Sequence, residues 1–256
     1  MTLAVYFYLA RQATLEWQAS VSRDAALIGT EIRDRLRTHA QFLRGIRAFF
    51  AASEHVSVVE WEAFTRQLQL ERNVHGIQAY GFAPLTPAGK QPVAGPGGKR
   101  ADGASIQIFP PPAPDTATLP VSLLAPATPH NLMAIGFNLM SEARRAEAVE
   151  MARDRDDVAL SRRIELVQEG ALGGRQPGLL MVLPVYRANA PVGTVEERRA
   201  AFAGVVYAAY RMGDFMQSFN YANSGILSLR IFDEDSFNSD RGDLALSLLY
   251  DSVHAR

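Results

Sequence analysis

Apolar positions in the first fifty residues recur every third or fourth residue. Trp17, Val21, Ala25, Ile28, Ile32, Leu36, His39, Leu43, Ile46 and Phe50 make one stripe with a period close to eleven residues per three turns. That period predicts a single long helix with a straight or slightly right-handed face, not a left-handed heptad coil. No proline interrupts it, and from Arg11 to Phe50 it would run for roughly 60 Å. A stripe of that length exceeds the reach of one compact domain. Either a second copy packs along part of it, through Val21, Ile28, Ile32, Leu36, Leu43 and Ile46, or the helix lies alone on its own domain. His39, on the stripe, reads as an interface or core histidine rather than a ligand. Ahead of the stripe, Met1 to Ala10 are nearly all apolar and are followed at once by Arg11. Ten helical residues cover about 15 Å, half of a bilayer core. They read as a short apolar terminus packed on the domain or as the outer end of a transmembrane helix, residues 1–10. The long helix continuing from them, a stalk over 11–55, favours the second.

After Phe50 the pattern changes. Ser57-Val58-Val59-Glu60 has capping-box spacing and predicts a second helix that turns Trp61, Phe64 and Leu68 inward. Ile77 to Phe82 reads as a buried strand, and residues 86–104, rich in glycine and proline, as loop. Ser105 to Phe109 and Val121 to Ala125 read as short strands flanking an extended proline stretch. Ser141 is expected to cap a helix reaching about Asp154. Ile164 to Val167 and Leu179 to Tyr186 read as strands. Thr194-Val195-Glu196-Glu197 repeats the capping box, and a strand from Phe202 to Tyr210 and a helix from Met212 to Phe219 follow. Leu227 to Phe232 and Leu244 to Tyr250 read as the last strands. The order predicts an α+β fold: a long N-terminal helix, then two small mixed sheets with a boundary near residue 190.

Composition narrows the function. The 256 residues are 48% hydrophobic and 21% charged, an ordinary globular balance. The net charge of −1, from 26 basic and 27 acidic residues, argues against a nucleic-acid partner. With no cysteine, disulfides, thiol nucleophiles and cysteine metal sites are excluded. His39, His55, His75, His130 and His254 include no helical i, i+4 pair that would suggest a metal, and no serine elbow or phosphate loop is present. The acidic group Asp233, Glu234, Asp235, Asp240 and Asp243 lacks the spacing of a calcium loop and reads as a solvated turn. Neither a catalytic residue nor a cofactor is expected. Arg144, Arg145 and Arg153 on the helix after Ser141 could pair an anion, or simply solvate a helix face.

Five segments carry a family resemblance: Gly76 to Ala83, Gly136 to Glu142, Leu166 to Glu169, Leu183 to Tyr186 and Thr194 to Arg199. In this order and spacing the chain resembles the CHASE domain. That family is the extracytoplasmic sensor module of bacterial membrane-bound histidine kinases and nucleotide cyclases. The resemblance implies a dimeric helical stalk and two PAS-like subdomains. Residues 56–190 would be membrane-distal and bind the ligand; residues 191–256 would be membrane-proximal and incomplete. The family pattern continues past Asp251 with more strands and a second membrane span, so the sequence reads as part of a longer receptor. It further implies a bacterial inner-membrane location, with this region in the periplasm, and an unidentified small-molecule ligand. Positions implied for that ligand are Ile108, Leu123, Phe137, Met181 and Leu183 as walls, with Asp115 or Asn138 giving direction. A ligand-free dimerisation or interaction module is the alternative.

Overall fold

The computed structural model describes residues 2–53, 56–69, 76–90, 105–167, 176–217, 219, 228–233 and 248–253. Helix α1 spans Thr2–Ala51, so residues 2–10 belong to the same helix as the stripe. At 50 residues it is about 75 Å long. No helix among the described residues is long and apolar enough to cross a membrane. Helix α2, Val58–Leu68, begins at the expected capping box: Ser57 accepts from the Glu60 amide, and the Glu60 side chain reaches back to the Ser57 amide. Its Trp61 is buried, and the indole N–H donates to the Leu124 carbonyl at 3.1 Å.

The main sheet is built from β1 (Ile77–Pro84), β2 (Leu123–Ala125), β3 (Ala159–Leu160), β4 (Ile164–Glu165), β5 (Pro177–Tyr186) and β6 (Phe202–Arg211). Its order is β2-β1-β6-β5-β3, with β4 also on β5, and every pair is antiparallel. β1, β5 and β6 are long because their residues are apolar on both faces, and both faces are covered. Gly81 permits the close approach of β2. A Cβ there would lie 2.1 Å from the Leu123 carbonyl oxygen and 2.8 Å from the Tyr207 hydroxyl.

Alternation along the strands sorts side chains into two cores. Tyr80, Met181, Leu183, Val206 and Tyr210 face α1 and α2 and pack with Leu43, Ile46 and Trp61. Leu180, Val182, Val205, Tyr207 and Ala209 face the opposite way. There they meet Leu119, Val121 and Leu139 and the inner side of α4, Ala143–Arg155. Between β2 and α4 lie a short helix α3 (Pro129–Leu132) and a 3-10 turn at Leu139–Ser141. Helix α5 (Val195–Ala201) follows the second capping box and helix α6 (Met212–Gln217) follows β6. Strands β7 (Arg230–Phe232) and β8 (Leu248–Asp251) form a separate two-stranded antiparallel sheet.

Four expectations are corrected. β6 pairs with both β1 and β5, so the boundary near residue 190 falls inside the main sheet, and the second sheet begins only at β7. Residues 105–109 are not a continuous strand; Phe109 is held by a parallel bridge to Phe137. Ser141 does not cap α4: its hydroxyl donates to the Asn138 carbonyl, and Glu142 occupies the cap position without a capping bond. Leu43 and Ile46, expected against a second copy, are 1% exposed within the chain's own core. They face inward because the C-terminal half of α1 lies across β5 and β6.

Candidate functional site

Where α1 leaves the sheet, its apolar face is only half covered. From Ala25 to Leu36 the helix bounds a partly open cavity of about 330 Å³. Ala25 and Gly29 lie one turn apart on this wall and leave room that larger residues would fill. A Cβ built on Gly29 meets no atom within 4 Å. Ile28, Ile32 and Leu36 complete the helical side. Leu179 of β5 and Tyr210 of β6 form the floor, with Met212 and Phe215 of α6 beside them. The second sheet closes the far side through Leu229, Ile231 and Leu249.

The one hydroxyl on this lining already has partners. Tyr210 Oη lies 3.1 Å from His39 Nδ1 and 3.7 Å from the Met181 sulfur. The His39 ring stacks on Tyr210 at 5.5 Å and meets the edge of Phe215 at 6.0 Å. Burial, with Arg35 nearby, lowers the His39 pKa from 6.5 to about 4, so the imidazole is neutral at ordinary pH. Burial also pushes the Tyr210 phenol upward. Among the described residues the lining therefore offers aromatic and aliphatic side chains, with the Tyr210 hydroxyl already engaged.

The residues expected at the ligand do not converge. Leu123, Met181 and Leu183 are buried in the core under α1 and α2, whereas Phe137 packs against the core beneath α4. The sheet stands between them. Asn138 is buried, and its side-chain oxygen accepts from the Leu119 and Met140 amides, a structural task. Asp115 is exposed with a left-handed backbone (φ 58°), and Ile108 is half-buried on the same segment. Of the expected dimer residues, Ile28, Ile32 and Leu36 line the cavity, and Val21 is half-buried above it. Sequence reasoning missed the sheet and α6 walls of the cavity. Two small residues at i, i+4 on an otherwise bulky stripe were the available signal.

On the opposite face Arg145 is buried. Its guanidinium lies 4.8 Å from the Phe137 ring centroid and donates to the Glu142 carboxylate and the Glu165 carbonyl. Desolvation lowers its pKa and Glu142 opposes the shift. This pair fastens α4 to β4. Arg144 donates to the Arg163 carbonyl, and Arg153 pairs with Asp154. Asp233 accepts from the Arg163 amide at 2.9 Å. Glu234, Asp235, Asp240, Asp243, His55, His75 and His254 lie outside the described residues, as do Gln168 and Glu169. Among the described residues no grouping of His, Asp and Glu could hold a metal.

The described residues thus form an antiparallel sheet crossed by a long helix, with an apolar cavity between that helix, the main sheet and the second sheet. The chain belongs to the CHASE-domain family, whose model matches residues 54–242. It is thus an extracytoplasmic sensor domain, not a catalytic one. No curated protein matches it in sequence. Among solved structures it is similar to the ligand-binding domain of the Pseudomonas aeruginosa PAO1 amino-acid chemoreceptor PctC in complex with GABA. Identity is 15% and the TM-score 0.39, over 79% of this chain and 64% of that one. This chain thus spans somewhat less than two thirds of that domain's length.

Proposed function

We propose that this chain is the periplasmic ligand-sensing region of a bacterial inner-membrane receptor that drives a cytoplasmic histidine kinase or cyclic-dinucleotide enzyme. The family match over residues 54–242 carries this reading. The six-stranded sheet is read as the membrane-distal PAS-like unit, and β7 with β8 as the start of the membrane-proximal one. A second copy would pack along the N-terminal part of α1, where Leu15, Trp17 and Leu27 are each more than half exposed. A small ligand with unequal affinity for two arrangements of α1 against the sheets would shift their equilibrium; equal affinity would transmit nothing.

The test is thermal unfolding of the purified chain against a broad set of polar and apolar metabolites. A ligand at a hundred times its Kd adds about 2.7 kcal/mol and should raise Tm by roughly 5–10 °C for a domain of this size. If no compound of either kind shifts Tm, the sensing role is wrong. The alternative, a ligand-free interaction module, draws support from the filling of both faces of the main sheet. It expects no ligand at all and a dimer disrupted by Trp17→Glu or Leu27→Glu.

A further inference from the structure

We propose that the cavity between α1, α6 and the second sheet is a binding site for a small, neutral, apolar molecule of about a dozen non-hydrogen atoms. The inference deepens the sensing role proposed above, on which its biological sense rests, but its chemistry stands on the cavity itself.

The size selects the occupant. One turn of helix, about 10 Å across and 5.4 Å long, fills roughly 420 Å³. The cavity holds about 330 Å³, so a second copy's helix cannot seat a full turn inside it. The same volume falls within the range of small-molecule pockets. The lining selects the chemistry. Among the described lining side chains a carboxylate, ammonium or sugar would meet only the Tyr210 hydroxyl, which is engaged by His39 and Met181. A hydrocarbon or arene loses nothing and meets the Tyr210 and Phe215 rings, themselves edge-to-face at 5.7 Å. Apolar cavities without polar partners stay dry and take up such molecules. The location gives the occupant an effect, since it would touch α1, the main sheet, α6 and the second sheet together.

The experiment titrates the purified chain with toluene and naphthalene, using benzoate and alanine as charged comparators, and follows Tm and light scattering. Gly29→Leu is the blocking variant: it places four carbons into open space and relieves a helix of an interior glycine. It should therefore fold at least as well as the native chain. Ala25→Phe, one turn away, is the second block. The expected result is saturable stabilisation by the neutral probes, by about 3 °C or more, absent in both variants and absent with the comparators. Other results would overturn the proposal. A native chain that shows no shift with either neutral probe while remaining monomeric means that the chain's own residues occupy the space. A shift that persists in both blocked variants places the binding elsewhere. A native dimer that ignores the probes and dissociates on Gly29→Leu means that a second copy occupies it. Stabilisation by a polar metabolite alone, unaffected by Gly29→Leu, would end this inference and leave the sensing role standing. Silence from every compound would end both.

Discussion

Acidification is expected to weaken the packing of α1 on the sheet through His39. This ring is 2% exposed, stacks on Tyr210 and meets the edge of Phe215, with the Arg35 charge nearby. Its pKa falls from 6.5 to about 4. A group whose folded pKa is depressed stays neutral in the native state while the unfolded chain takes up a proton. Above pH 6.5 both states are neutral and no penalty exists. As pH drops from 6.5 towards 4, stability falls by about 1.4 kcal/mol per unit, and below about 4 this loss levels off. Between about pH 7 and about pH 4.5 the integrated loss is about 2.5 kcal/mol. Urea unfolding followed by far-ultraviolet circular dichroism at both pH values measures it directly. His39→Gln keeps a polar partner for Tyr210 but cannot titrate, so its stability should decline less by about that amount. Asp154, held low chiefly by its hydrogen bonds to Arg199 and Arg153, loses its contribution at lower pH and affects both proteins alike. Equal losses in native chain and variant would refute the assignment of His39 as a buried neutral group.

Three further outcomes are expected. Leu43→Ala, opening a cavity at a fully buried site, should cost about 2–5 kcal/mol in chemical denaturation, whereas Leu27→Ala on the exposed face should stay within about 0.5 kcal/mol. Gly81→Ala should lower Tm sharply and loosen β2, seen as faster hydrogen exchange at Leu123 to Ala125, because the added carbon meets a backbone oxygen that cannot move aside. If α1 dimerises, Trp17→Glu and Leu27→Glu should shift the mass in light scattering towards monomer without changing Tm by more than about 2 °C. An unchanged mass for both would remove the dimer.

Much of the architecture could be read from local chemistry. Both capping boxes were visible as Ser or Thr followed three residues on by Glu, and both begin helices. The period of α1 was equally plain. What the period cannot report is which half of the stripe meets the chain's own sheet. Leu43 and Ile28 are indistinguishable by spacing, yet one is sealed in the core and the other borders a cavity. Strand partnership was also hidden. β5 and β6 are joined by fifteen residues including α5, and nothing local to either shows that they lie side by side. That the expected binding positions lie apart was hidden for the same reason. Met181 and Phe137 are both apolar and near the sheet, but only the folded topology shows that they lie on opposite sides of it. Asn138 reads in sequence as a group for orienting a ligand; its side-chain oxygen accepts from the distant Leu119 amide and from the Met140 amide in the turn before α4.

The unequal coverage of α1 makes it a lever. Its C-terminal half is gripped by the sheet, and by Arg44 and Arg47 reaching Asp157 and Asp156 at 2.7 and 2.6 Å. From Ala25, the outermost cavity contact, the helix extends about 35 Å further to Thr2. A tilt of about 5° at the cavity would carry the far end sideways by about 3 Å, twice the rise of one helical residue. Replacing one lining side chain, or filling the gap beside Gly29, acts at the short arm of that lever. Adjustments too small to disturb the core there become displacements of side-chain size at the other end.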